Sequence, residues 1–244
     1  VIVIAMLAAS AATAATVYSG YLSSDPGDLS RDGVLDGTGF WIYPDDPPPQ
    51  DYTPTEFEWT VTENPDGSWN YSYALRVYRA EASHWMFETS DEFTMDDMIN
   101  PTGDYADSES LILATHTVDG SSAQPNPYMP DNVYGVKIED VSGEGTVYTG
   151  QSYEYVLQFD SWRRPVWADF YAKCGNVGGT QNTAWNVGLT SPDTDPPYST
   201  PPSDGSYNNH ILAPDTVVPE PSTLLLLCGG IAGLILLRRR RSAD

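Results

Sequence analysis

The chain has little cysteine. Only 2 of its 244 residues are cysteine, and Cys228 lies in an apolar run near the C-terminus. Cys174 therefore stands alone in the remainder of the chain, which excludes an intramolecular disulfide there and leaves stability to packing. We expect Cys174 to be a half-buried, inert thiol rather than a link between two chains.

Positive charge is scarce as well. The chain has 11 Lys and Arg residues against 34 Asp and Glu residues, a formal net charge of −23. Since four of the basic residues are consecutive arginines at 238–241, the remainder is more acidic still. A field of this sign repels nucleic acid and anionic membrane surfaces, and it favours divalent cations and cationic partners. An acidic surface is also an ordinary means of staying soluble outside the cell.

Short catalytic signatures are absent from the sequence. His84, His116 and His210 lie far apart, and no H-E-x-x-H, G-x-S-x-G, P-loop or dinucleotide-binding pattern occurs. Glycoside hydrolysis needs two carboxylates roughly 5 to 10 Å apart in a cleft, and a sequence so rich in acids does not locate such a pair. We therefore expect no enzyme.

The C-terminal segment has three successive parts. Four residues of a Pro-Glu-Pro motif precede an uncharged run at 224–237, and an arginine cluster follows it: Val218, Pro219, Glu220, Pro221, then Arg238, Arg239, Arg240 and Arg241. As a helix the run spans about 21 Å, short of the ~30 Å hydrocarbon core, so a transmembrane helix here depends on snorkelling arginines. The positive-inside rule places the C-terminus in the cytoplasm.

These three parts, in this order, resemble the PEP-CTERM sorting signal of Gram-negative bacteria, also catalogued as the ice-binding protein C-terminal domain. In that family the signal implies recognition by a membrane-embedded exosortase, removal of the tail, and release to the cell surface or the exopolysaccharide matrix. The resemblance covers residues 218–241 and does not imply ice binding. An ordinary membrane anchor that is never cut is the alternative.

The N-terminal segment agrees with export. Residues 1–7 are apolar and run into an alanine-rich stretch at 8–14, which is typical of a secretory signal with cleavage after Ala14 or Ala15. We expect residues 1–15 to be part of a signal peptide. The two ends together predict an exported protein that is transiently anchored in the inner membrane.

Short alternating runs between these ends predict an all-β domain at 17–190. Apolar and polar side chains alternate at 57–61 and 69–77, on either side of an Asn-Pro-Asp-Gly turn at 64–67. Further strands are predicted at 111–115, 133–138, 146–148, 153–159, 166–172 and 184–189, with one short helix at 94–99. The pattern favours an antiparallel β-sandwich of jelly-roll or Ig-like type. The Pro/Ser/Asp-rich residues 191–217 predict a linker.

Two aromatic stretches, at 83–94 and 164–186, resemble segments of uncharacterised exported PEP-CTERM proteins, a likeness that implies no chemistry. Aromatic residues in strands usually pack in a core. The alternative is a carbohydrate-stacking platform, with Asp and Asn side chains beside the rings. Its four candidate residues are Trp85, Trp167, Tyr171 and Trp185.

One acidic segment resembles a calcium loop. Asp28, Ser30, Asp32 and Asp36 stand at alternating ligand positions of an EF-hand-type loop, with a glycine for the sharp turn. Gly39 occupies the position where a bidentate glutamate should close the ligand shell, so a simple Asp/Gly-rich turn between strands is the alternative reading. Ca²⁺ is the one cofactor that the sequence suggests.

Taken together, these patterns predict an exported structural or adhesive component of the cell surface or extracellular matrix. An exosortase is the expected transient partner. A carbohydrate-binding module for exopolysaccharide is the alternative, and a secreted hydrolase comes third.

Overall fold

The computed structural model describes residues 14–42, 52–104, 110–118, 126–139, 146–149, 152–174, 181–197 and 199–216. The predicted sorting signal and transmembrane helix, and almost all of the predicted signal peptide, lie outside these ranges. Within them, no helix has the length and apolar character that a membrane crossing requires.

The described residues form fourteen strands and two single 3₁₀ turns, Gly39–Trp41 and Met95–Asp97. The strands are β1 (Val17–Ser23), β2 (Gly33–Thr38), β3 (Glu56–Glu63), β4 (Trp69–Tyr78), β5 (Ala82–Glu88), β6 (Ile99–Gly103), β7 (Leu111–His116), β8 (Val133–Glu139), β9 (Thr146–Thr149), β10 (Ser152–Ser161), β11 (Arg164–Ala168), β12 (Phe170–Cys174), β13 (Thr183–Asn186) and β14 (Ile211–Thr216).

Twelve of these strands belong to one sheet. Its order is β6-β10-β4-β3-β1-β2-β13-β12-β5-β8-β7, and β9 pairs with β10 beside this path. Neighbouring strands are antiparallel except β1 and β2, whose short parallel pairing joins Leu22 to Gly33 and Ser23 to Val34. The two remaining strands, β11 and β14, form a separate antiparallel pair.

The large sheet curls so that strands on either side of the β1–β2 pair face each other. The rings of Phe57 on β3 and Phe170 on β12 lie 4.1 Å apart between centroids, and those of Tyr73 on β4 and Phe87 on β5 lie 5.1 Å apart. All four side chains are completely buried. The mostly β prediction is confirmed. The two facing layers of the predicted sandwich are joined in one curled sheet, because β1 pairs with β3 on one side and with β2 on the other.

The predicted hairpin at 57–77 forms as β3 and β4, in register from Glu56 opposite Arg76 to Glu63 opposite Trp69. The backbone amide of Gly67 donates to the carbonyl of Asn64 at 2.9 Å, and Gly67 has φ of +91°. That left-handed conformation strains any side chain with a Cβ, so the glycine is required by the turn.

The helix predicted at 94–99 is a single 3₁₀ turn followed directly by β6. Thr94 holds the start of this turn, because its backbone amide and hydroxyl both donate to the carboxylate of Asp97, at 2.8 and 3.0 Å. Strand pairing of the residues from Ile99 onward ends the turn.

Cys174 on β12 carries a reduced thiol and is completely buried. The side-chain amide of Asn182 donates to its Sγ at 2.9 Å. Burial raises the pKa of the thiol, which keeps it protonated and unreactive. The expected inert thiol is therefore more deeply buried than the sequence suggested.

The linker predicted at 191–217 requires a correction at its C-terminal end. Residues 211–216 form β14, and Ile211, Leu212 and Ala213 are completely buried. The hydroxyl of Tyr73 on β4 donates to the carbonyl of Leu212 at 3.0 Å. Composition suggested a linker because prolines and polar residues dominate the segment, whereas pairing with β11 fixes its last residues to the core.

We expect Leu212→Ala to lower the free energy of unfolding by about 2 to 5 kcal/mol, because it leaves a cavity at a fully buried site. Chemical denaturation of the full chain measures this loss. Ser203→Ala, an exposed change in the same segment, should alter stability by less than about 0.5 kcal/mol. Equal and negligible effects of both substitutions would restore the linker interpretation for residues 211–216.

Candidate functional site

The calcium loop predicted at Asp28, Ser30, Asp32 and Asp36 does not form a converging ligand set. Asp28 accepts hydrogen bonds from the hydroxyl of Tyr21 and the backbone amide of Ser30, both at 2.9 Å, and Asp32 accepts one from the amide of Tyr21 at 2.9 Å. Asp36 accepts one from the amide that follows it. These carboxylates hold the connection between β1 and β2. Within the described ranges, none of them belongs to a group of ligand atoms close enough to share a metal.

The predicted carbohydrate-stacking platform is also corrected. Trp85 and Tyr171 are completely buried, Trp167 is 4% exposed, and only Trp185 is partly accessible. Trp85 and Tyr171 pack into different apolar clusters, while Trp167 lies on the separate β11–β14 pair. The rings therefore share no open face on which a sugar could stack.

The structure instead brings together five side chains that sequence reasoning did not connect. Glu88 ends β5, Asp169 lies between β11 and β12, Asp193 and Asp195 follow β13, and His210 precedes β14. Ligand atoms of the four carboxylates all lie within 4.8 Å of one another, as do those of Asp169, Asp195 and His210. We call these five residues the carboxylate cluster.

Asp169 is the centre of the cluster and is completely buried. It interrupts the single strand predicted at 166–172, so that β11 pairs with β14 while β12 joins the large sheet. Its backbone amide donates to the carboxylate of Glu88 at 3.1 Å, and its carbonyl accepts from the amide of Glu88 at 2.9 Å. The side-chain amide of Asn186 on β13 donates to Oδ1 of Asp169. Glu88 at the end of β5 thus holds the backbone of Asp169, and Asn186 on β13 holds its carboxyl group.

The orientation of the His210 ring follows from its backbone contact. Its Nδ1 lies 3.1 Å from the carbonyl of Tyr207, and since a carbonyl only accepts, Nδ1 carries the hydrogen. Burial lowers the pKa of His210, so the ring is neutral and Nε2 presents a lone pair. That lone pair lies 3.5 Å from Oδ1 of Asp169. A Cβ at Gly188 would come within 2.6 Å of the ring, so glycine at this position leaves the space that the ring occupies.

Several polar atoms of the carboxylate cluster are buried without a hydrogen-bond partner. They are Oδ2 of Asp169, Oδ1 of Asp193 and Nε2 of His210. Burial raises the pKa of the Glu88 and Asp169 carboxyls well above their usual range, and repulsion from the neighbouring carboxylates adds to this. Burial also raises the pKa of Asp193. The carboxyl groups of the cluster therefore resist ionising together in the folded chain.

One sequence signal could have located this cluster. Asp169 is the single charged residue in the otherwise apolar stretch at 166–172, and a carboxylate at such a position is informative because charged residues are rarely buried without a partner. The partners of Asp169 had no comparable signal. Asp193 and Asp195 look like ordinary linker residues, and His210 is isolated in the sequence.

A comparison with protein-family models finds one match. Residues 217–241 match the PEP-CTERM protein-sorting motif, which confirms the resemblance noted for Pro219, Glu220 and Pro221 and for the arginine cluster. Proteins with this motif are secreted and processed by an exosortase. Comparisons with curated proteins and with solved structures find no match. The match directly follows β14, which ends at Thr216.

The burial of the aromatic residues leads to a stability prediction. Trp85→Ala should lower the free energy of unfolding by about 3 to 5 kcal/mol, because a completely buried indole is replaced by a cavity. Trp162→Ala is the matched control, since Trp162 is 54% exposed and should contribute little. Guanidinium denaturation of both full-chain variants measures the difference. A Trp85→Ala protein as stable as the Trp162→Ala protein would contradict the burial of Trp85.

Proposed function

We propose that this chain is a structural or adhesive protein of the cell surface or extracellular matrix, released by an exosortase-type enzyme in the inner membrane. The observation that carries the proposal is the PEP-CTERM match at 217–241. An acidic β-rich body stabilised by packing supports it, because such a body needs no disulfide and stays soluble outside the cell.

The position of β14 adds a feature to the proposed processing. Because this strand ends at Thr216, only two residues separate it from Pro219 of the sorting motif. At about 3.3 to 3.6 Å per extended residue, those two residues span roughly 7 Å. The packed body therefore lies next to the motif along the chain, and we propose that the exosortase acts close to an already folded β14.

Carbohydrate binding, the alternative function, loses its specific basis through the burial of Trp85, Trp167 and Tyr171. The proposal accordingly assigns the body a structural or adhesive role and gives it no catalytic step. Exopolysaccharide remains the surrounding matrix in this proposal rather than a ligand of those three rings.

The sorting route is tested with Glu220→Ala and with deletion of residues 238–241. Each change should leave the protein uncut in the inner membrane, because each removes one part of the matched motif. Cell fractionation, with mass spectrometry of the released form, gives the location and the new C-terminus. Asp91→Ala, an exposed acidic change in the packed body, should be released and cut as the unchanged protein is.

Equal release of the Glu220→Ala protein and the Asp91→Ala protein would refute exosortase processing. The structural or adhesive role has a separate readout in the same cells. The released protein should be recovered with the surface or matrix fraction, and its loss should weaken attachment or matrix cohesion. Recovery only as free protein in the medium, with unchanged attachment, would contradict that role.

A further inference from the structure

We propose that Glu88, Asp169, Asp193 and Asp195, with His210 beside them, bind one divalent cation of the oxygen-preferring class, with Ca²⁺ as the preferred ion. Asp169 and Asp195 belong to both groups of ligand atoms that lie within 4.8 Å of one another, so a single cation near these two residues reaches both groups. The proposed site is separate from the loop at Asp28, and it does not depend on the sorting route.

The convergence of four acidic side chains favours a bound cation. Four carboxylates converge, and Asp169 among them is completely buried. Ligand oxygens of Glu88 and of the other three carboxylates all lie within 4.8 Å of one another. Like charges this close strongly disfavour joint ionisation. A divalent cation among them offsets this repulsion.

Buried polar atoms that lack a hydrogen-bond donor independently favour a bound cation. Oδ2 of Asp169, Oδ1 of Asp193 and Nε2 of His210 are buried without a hydrogen-bond donor, and only a proton shared between the Asp169 and Asp193 carboxyls would link the first two. Asp169 is 0% exposed and His210 is 3% exposed. Buried polar atoms in folded proteins nearly always have a partner, and an unpartnered one requires an explanation such as an ion. A cation beside Asp169, which belongs to both groups of ligand atoms, supplies a partner at the place where these atoms are buried.

The hydrogen bonds around the carboxylate cluster resemble those that orient the ligands in metal sites. The Nδ1 hydrogen of His210 is directed to the carbonyl of Tyr207, which leaves Nε2 free to donate its lone pair to a metal. Asn186 donates to Oδ1 of Asp169 and thereby orients that carboxylate. In known metal sites, hydrogen bonds of this kind fix the orientation of the side chains that bind the metal.

The donor set decides the class of cation. Ca²⁺ takes about six to eight oxygen ligands at roughly 2.3 to 2.6 Å, so ligand atoms on opposite sides of the ion lie up to about 5 Å apart. The limit of 4.8 Å between ligand atoms fits within this sphere. Four carboxylates are richer in oxygen than the Cys/His sets that favour Zn²⁺. Asp195 is exposed, which gives water and the cation access from solvent.

The location of the site implies a role as a clamp. The proposed ligands come from the end of β5, the break between β11 and β12, the segment after β13, and the residue before β14. A cation held by them joins the β11–β14 pair and the Pro-rich segment to the large sheet. Binding to the folded state alone then stabilises the whole body.

Thermal unfolding of the EDTA-treated full chain, with and without added CaCl₂, tests the proposal. At a Ca²⁺ concentration about 100-fold above Kd we expect Tm to rise by roughly 5 to 10 °C. Calorimetric titration should find one Ca²⁺ per chain. Parallel titrations with MgCl₂, MnCl₂ and ZnCl₂ rank the cations, and Ca²⁺ or Mn²⁺ should bind more tightly than Zn²⁺.

Two isosteric variants separate a metal ligand from a merely structural residue. Asp169→Asn and Asp195→Asn should both abolish or strongly reduce the Ca²⁺-induced rise in Tm. In EDTA, Asp169→Asn should melt at the same temperature as the unchanged protein or higher, because it keeps the shape of the buried side chain and removes one acid from the crowded cluster. A merely structural role predicts a lower Tm in EDTA and an unchanged Ca²⁺ response. Asp195→Asn, at an exposed position, keeps the test informative if Asp169→Asn does not fold.

The matched control is the triple change Asp28→Asn, Asp32→Asn and Asp36→Asn, which removes equal or greater charge from the loop that the sequence suggested. It should keep the full Ca²⁺-induced rise in Tm. The proposal is overturned if no cation raises Tm, as expected where a shared proton satisfies the cluster instead. The proposal is also overturned if both single variants keep the Ca²⁺-induced rise in Tm, or if only the triple variant loses it. Tighter binding of Zn²⁺ than of Ca²⁺ and Mn²⁺ overturns it as well.

Discussion

The burial of the Asp169 carboxylate between β11 and β12 is the constraint on which the arrangement of the last part of the chain depends. The backbone of Asp169 pairs with Glu88, and its side chain accepts from Asn186. These contacts end one strand and begin another within a single apolar run. As a consequence β11 is free to pair with β14, and β12 continues the large sheet. A buried charge is costly unless it is compensated, so the surroundings of Asp169 must provide that compensation.

The core shows how the chain holds together without a disulfide in the described residues. Aromatic rings from β3, β4 and β10 pack on rings from β5 and β12 across the curl, with Phe57, Phe87 and Phe159 among them. Each buried ring removes a large apolar area from water and adds a preferred ring geometry. Trp85, one of the residues that suggested a glycan-binding face, packs among these rings, and Tyr171 is buried in a second apolar cluster, so both contribute to stability.

β14 connects the folded body to the sorting motif. This strand is buried against the body and ends where the PEP-CTERM match begins. The sorting motif and the folded domain are therefore adjacent in the chain, because the last residues of the predicted linker at 191–217 form β14. The proposed cation site lies at the same end of the folded chain, through His210 directly before β14. Folding of β14 and processing of the tail therefore involve neighbouring residues of the chain.

Local patterns in the sequence were sufficient for the features that depend on near neighbours. The alternation at 57–77 and the turn at Asn64 to Gly67 predicted β3 and β4, because side-chain period and turn chemistry act over a few residues. The three-part tail likewise identified the sorting motif. The sequence by itself thus determined a mostly β body, an acidic surface and a sorting motif. Only the tertiary structure decided which acids converge, since Glu88, Asp169 and His210 come from strands and loops far apart in the chain. The regular spacing at Asp28 was misleading for the same reason: local hydrogen bonds use those carboxylates, and long-range strand pairing assembles the others.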